Sequence, residues 1–273
     1  MDVTNNLPES YIVGETKLNA QTFERFLKES GKTSILDEWN KKNSEQTVSG
    51  LEQHFEFLSR VYGMVDGEKT NDEALKDIIS NPSLQYIFDH GQINIMFKNV
   101  SMNFMVLLLR LKIESLQMIN ERISLEEMGF WLPPVLDDKA NKDLSIKYAG
   151  VYAVTSNKIN ELLDEINYES IKQETPAVAE TIRSIFTRLM PISSQINLGL
   201  TCTVRGWRQL ILMGGNFSSD DELRFVFMHL ARDMKKRYYG VFQDLSLEDE
   251  KGQRLGLDTL RNEGAWKKYQ IAN

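Results

Sequence analysis

The chain has 273 residues, 41% of them hydrophobic and 26% charged, and a net charge of −7. That length can bury one large core or two modest ones, and the acidic balance excludes broad nucleic-acid affinity while leaving room for a local basic pocket. A single cysteine, Cys202, excludes an intramolecular disulfide and an all-cysteine metal site.

The amino terminus, Met1 to Asn6, lacks the basic-then-apolar pattern of a signal peptide, and the longest apolar run, Phe104 to Leu109, is too short to span a bilayer. The expectation is a soluble, cytoplasmic protein without a membrane or nucleic-acid partner. Tyr11 to Gly14 is the first strand candidate. Asn19 then caps a helix carrying Phe23, Phe26 and Leu27, which Ser30-Gly31 stops. Leu51, Phe55, Leu58 and Val61 mark a second helix ending near Gly63. Leu75, Ile78 and Ile79 mark a third, broken by Asn81-Pro82. Ser83 to Asp89 is ambiguous.

Ile93, Ile95 and Phe97 alternate with polar neighbours, the period of a half-buried strand. Ser101 can cap the helix that follows, with Phe104, Leu107, Leu108 and Leu111 on its apolar face. Arg110 closes that helix and is expected to be partly buried. A buried guanidinium needs an anionic partner, either an internal carboxylate or a ligand phosphate, and Lys112, Ser115 and Arg122 would add donors for the latter.

Met128 to Pro134 reads as an extended segment and Leu144 to Ile166 as a long helix. Pro176 opens another helix with Ile182, Ile185, Phe186 and Leu189 inward, ended by Pro191. Ile196 to Val204 is strand or helix start. Trp207, Leu210 and Ile211 form a helix stopped at Gly214-Gly215. Ser219 and Glu222 make a capping-box pair for the last strong helix, whose inward positions are Leu223, Phe227, Leu230 and Met234. His54, His90 and His229 have no metal-ligand spacing and read as structural, and no metal site is expected. No phosphate-binding glycine loop or nucleophile elbow is present. With no repeat and no linker, the reading is a single α+β domain.

At Arg110-Leu111-Lys112, Ser115, Gln117-Met118, Asn120 and Arg122 the sequence resembles the flavin-dependent thymidylate synthase family, whose signature has the form R-H-R-x-x-S-x-N-E-x-S-x-R. Tyr11 to Leu27, Phe130 to Pro134, Arg188-Leu189-Met190-Pro191, Thr203-Val204-Arg205 and Glu222-Leu223-Arg224 are similar to other family segments, in the family's order. The resemblance covers roughly Tyr11 to Leu245.

It implies a small, mainly antiparallel sheet wrapped by helices, over residues 1–245, with a polar tail over 246–273. It implies a homotetramer that uses FAD, NADPH and methylenetetrahydrofolate to methylate a pyrimidine nucleotide, dUMP to dTMP. The residues similar to the flavin-contacting set are Arg110, Lys112, Ser115, Gln117, Arg122, Arg205 and Gln209; Asn120 and Arg188 are those implied for the nucleotide. No catalytic protein nucleophile is implied.

The sequence also departs from the family. The signature histidine falls on Leu111, the glutamate on Met118 and the second serine on Asn120. An upstream histidine falls on Gln85 and a nucleotide-holding glutamine on Leu107. Two arginines fall on Thr187 and Gly214. Each lost guanidinium removes a charge-assisted interaction of about 1.5–3 kcal/mol. Together they weaken dUMP affinity on the order of a hundredfold or more. The nucleotide side is therefore expected to differ more than the flavin side.

Overall fold

The structure is a computed structural model that describes residues 7–37, 49–64, 69–111, 115–118, 129–133, 136, 141–215 and 220–245. The tail 246–273 lies outside the described residues, as do Lys112, Asn120 and Arg122.

Four strands form one antiparallel sheet in the order β1-β2-β4-β3: β1 is Glu9–Glu15, β2 Gln92–Ser101, β3 Ser115–Met118 and β4 Gln195–Thr203. The period-2 pattern of β2 places Ile93, Ile95 and Phe97 inward and Gln92, Asn94, Met96 and Lys98 outward. The segment left open between strand and helix is β4, with Ile196, Leu198, Leu200 and Cys202 buried beside their β2 partners. A register shift between Phe97 and Val100 puts Asn99 at φ 59°, a left-handed conformation asparagine tolerates, and its N–H donates to Asn197 Oδ1 at 3.2 Å.

The helices are α1 (Ala20–Glu29), α2 (Gly50–Val61), α3 (Asn71–Ser80), α4 (Met102–Leu108), α5 (Lys142–Glu165), α6 (Tyr168–Glu174), α7 (Pro176–Thr187), α8 (Val204–Gly214), α9 (Asp221–Arg237) and α10 (Tyr239–Phe242). Their starts follow local chemistry. Asn19 accepts from Thr22 N, Ser101 from Phe104 N, Thr203 from Gly206 N, and Pro176 opens α7. Gly31 and Gly63 take positive φ where α1 and α2 stop. The ambiguous stretch after Pro82 is a 3-10 helix, Gln85–His90, that buries Ile87 and Phe88.

The main core lies between the sheet's inner face and α4, α8 and α9. At its centre Trp207 is fully buried and donates from Nε1 to Ile93 O at 2.9 Å. A second cluster joins Phe130, Leu132, Tyr152, Ile159, Leu163 and Met190, with Phe130 bridging to Ser194 and stacking on Tyr152. On α5 only one stripe is buried, while Leu144, Ile146, Val151 and Val154 are exposed.

Three local expectations are corrected. Helix α7 ends at Thr187, before Pro191, and packs the face of Ala179, Ile182 and Phe186; Ile185 lies off that stripe, and Leu189, past the helix end, is exposed as well. The cap of α9 is Asp220, which accepts from Glu222 N and Leu223 N, so Glu222 does not close a capping box on Ser219; Ser219 lies outside the described residues. Arg110 is exposed, because α4 stops at Leu108 and the chain leaves through a turn (Arg110 N to Leu107 O, 3.1 Å).

Candidate functional site

The sheet has two ends, and the sequence-predicted residues divide between them. At one end β2 begins, β3 begins and β4 finishes, since Gln92 pairs with Thr203 and Ser115 with Thr201. Helix α8 starts there and carries Arg205 and Gln209 one turn apart, Arg205 partly exposed and Gln209 exposed. The backbone of Ser115 and Gln117 lies along β3, the sheet's edge strand, opposite Thr201 and Gly199.

Arg110 is five residues ahead of Ser115, a span of at most about 18 Å. Among the described residues no carboxylate forms an ion pair with it. The turn after α4 holds Arg110 and the first turns of α8 hold Arg205 and Gln209, while the backbone of Ser115 opens β3 at the end of the sheet where α8 starts.

Arg188 lies elsewhere. It follows α7, is exposed, and precedes the start of β4. Strand β4 runs from Gln195 to Thr203, about 27 Å at strand rise. Arg188 thus precedes the strand by seven residues and Arg205 follows it by two.

Sequence reasoning missed Asp89. This residue of the 3-10 helix receives a hydrogen bond from Arg205 Nη1 at 3.0 Å and one from the Thr203 hydroxyl at 3.5 Å. Both carboxylate and guanidinium remain over two-fifths exposed. No local pattern signals the pair, whose members are 116 residues apart.

The far end of the sheet contains a buried carboxylate. Glu222 accepts from Ser101 N at 2.6 Å and from the Ser101 hydroxyl, while that hydroxyl accepts from Phe104 N at 3.0 Å. Burial pushes the carboxyl up to about 7, against the opposing effect of the Ser101 bonds, and Asp220 adds to the rise. Glu222 thereby joins α9 to the junction of β2 and α4, the element that leads to Arg110.

The positions where the family's other polar groups fall are apolar or satisfied. Leu107 and Leu111 pack against the main core. Gln85 donates from Nε2 to Ile79 O at 2.7 Å, and Thr187 Oγ1 donates to Arg183 O at 2.8 Å. Gly214 faces Phe227 so closely that a Cβ would lie 2.2 Å from ring carbon Cδ2. No side chain fits there unless Phe227 moves.

The histidines are occupied structurally: His54 Nε2 is 3.2 Å from His90 O, and His229 Nδ1 is 2.8 Å from Phe225 O. Burial lowers the His54 pKa. Among the described residues no cluster of three or more His, Cys, Asp or Glu is arranged to hold a metal. None of their helices is long and apolar enough to cross a membrane.

Comparison with known proteins gives a consistent picture. A family model described as thymidylate synthase complementing protein matches residues 24–238. The crystal structure of Thymidylate Synthase X (ThyX) from Helicobacter pylori with FAD and dUMP is similar at 16% identity and a TM-score of 0.55, over 87% of this chain and 98% of that one. A crystal structure of flavin dependent thymidylate synthase ThyX from the same organism, complexed with FAD and dUMP, is similar at 15% identity and a TM-score of 0.53, over 86% and 98%. No curated protein matches the chain. Identities this low carry the fold.

Proposed function

Because this chain belongs to the thymidylate synthase complementing protein family, we propose that it binds FAD and serves reductive methylation of a pyrimidine nucleotide, with a nucleotide subsite altered from one suited to dUMP. The observation that supports this reading is Arg205 and Gln209 on the first turns of α8, at the end of the sheet where β3 begins, with Arg110 five residues ahead of β3 in the chain. Arg110 is exposed and without an ion-pair partner among the described residues, and Arg205 commits a single nitrogen to Asp89. Guanidinium, amide and hydroxyl groups suit a dinucleotide diphosphate, so the donor set fits the cofactor.

Arg110 and Arg205 would hold the diphosphate, joined by Lys112, Ser115, Gln117, Arg122 and Gln209. The chemistry a flavin supplies when bound is hydride transfer, with NADPH as reductant and methylenetetrahydrofolate as the one-carbon source. The protein's own contribution is binding, orientation and exclusion of water. Arg188 and Asn120 would serve the nucleotide. Arg188 precedes β4 whereas Arg205 follows it, which is consistent with a site completed by a second copy, as in the implied homotetramer. The exposed Val151 and Val154 of α5 support such an assembly.

The close packing of Gly214 on Phe227, with the apolar Leu107 and Leu111, supports the altered nucleotide preference. The test is reconstitution with excess FAD followed by titration with pyrimidine nucleotides. Retained flavin absorbance that responds to a nucleotide other than dUMP is the expected result, and a colourless protein under saturating FAD defeats the proposal. A second reading, a non-catalytic oligomeric member, draws on the same Gly214 packing. Measured conversion of dUMP to dTMP would end it.

A further inference from the structure

We propose that Asp89 is an internal stand-in for ligand phosphate: its carboxylate holds Arg205 Nη1 and competes with the cofactor diphosphate for it. The proposal rests on the flavin reading above and concerns how the same site is regulated. Among the described residues, Asp89 is the one carboxylate ion-paired to a cation of the candidate set. Its two oxygens meet Arg205 Nη1 and the Thr203 hydroxyl, donors that an incoming anion would use.

The contact is built to be displaced. Arg205 and Asp89 are 41% and 45% exposed, and exposed pairs of this kind hold weakly. The Asp89 backbone is fixed, since Ile87 and Phe88 beside it are fully buried, so displacement needs only side-chain rotation. Thr203 is held in place by its other role, accepting from Gly206 N at 3.1 Å as the α8 cap. A carboxylate and a phosphate competing for one guanidinium repel each other, which makes the ion pair a tax on anion binding.

The experiment measures FAD and inorganic pyrophosphate affinity for the full chain, for Asp89→Asn, for Arg205→Gln and for the double variant, each checked for folding by thermal melting. Asp89→Asn is expected to tighten both ligands by roughly two- to tenfold, an effect that vanishes in the Arg205→Gln background. Unchanged or weaker binding by Asp89→Asn, or equal tightening without Arg205, overturns the stand-in. If FAD binds the natural chain and Asp89→Asn does not tighten it, the stand-in falls while the flavin reading stands. If no form binds FAD but Asp89→Asn tightens pyrophosphate through Arg205, the flavin reading falls and the displaceable anion seat remains. Binding of neither ligand by any form refutes both.

Discussion

Replacing Glu222 by glutamine should remove a pH dependence from the stability of this protein. The native carboxyl titrates at about 7, raised from 4.5 chiefly by burial. A raised acid pKa means the folded state holds its proton where the unfolded state has lost it. Glu222 therefore favours folding fully below pH 4.5, and that contribution is lost as pH rises through 7. The loss across that interval is about 3 kcal/mol for a group only 1% exposed.

Glutamine keeps an oxygen to accept from Ser101 N and can donate to the Ser101 hydroxyl, but it has no proton to lose. Alanine removes both contacts and leaves a cavity, costing about 3 kcal/mol or more. Urea unfolding of the three proteins between pH 5 and 8 is the assay. The natural chain should weaken toward pH 8 by about 3 kcal/mol more than Glu222→Gln does. A glutamine variant with the same pH slope as the natural chain would refute the assignment.

Three further outcomes are expected. Gly214→Ala forces a methyl group against Phe227 and should cost about 1–3 kcal/mol in thermal or urea unfolding, with part of the loss recovered by Phe227→Leu in the same chain. Arg208 is buried and paired with Asp244 at 2.9 and 2.6 Å, while Asp244 itself is 40% exposed. Asp244→Ala strands a buried guanidinium and should cost about 3 kcal/mol, more than Arg208→Met, which leaves a carboxylate that water can reach; urea midpoints in the reverse order would count against this. Arg110→Gln should weaken FAD binding by about tenfold, the worth of one charge-assisted contact, and leave the melting temperature unchanged because the residue is exposed and unpaired among the described residues.

Much of the fold is legible wherever neighbours in sequence decide the outcome. The alternation of Ile93, Ile95 and Phe97 specifies a one-sided strand, and Asn19, Ser101, Gly63 and Pro176 mark helix ends through bonds or dihedrals confined to a single turn. Strand β3 was not legible there, because so short a segment as Ser115–Met118 carries little period of its own and pairs with the distant β4. Whether the signature residues approach Arg205 depends on which strand lies beside which, and only the family resemblance implies it.

Tertiary structure decided the rest. Gln195–Thr203 is a strand because β2 and β3 flank it, and neither partner is near in sequence. Arg110 is exposed because α4 ends at Leu108, two residues before the arginine that its sequence reads as closing it. In the sequence Glu222 reads as a capping residue and Asp89 carries no signal; their partners Ser101 and Arg205 lie 121 and 116 residues away. Local sequence determines what each segment prefers, since propensity and capping act over a few residues. Which carboxylate is buried against a hydroxyl, and which is left exposed beside an arginine, depends on long-range packing.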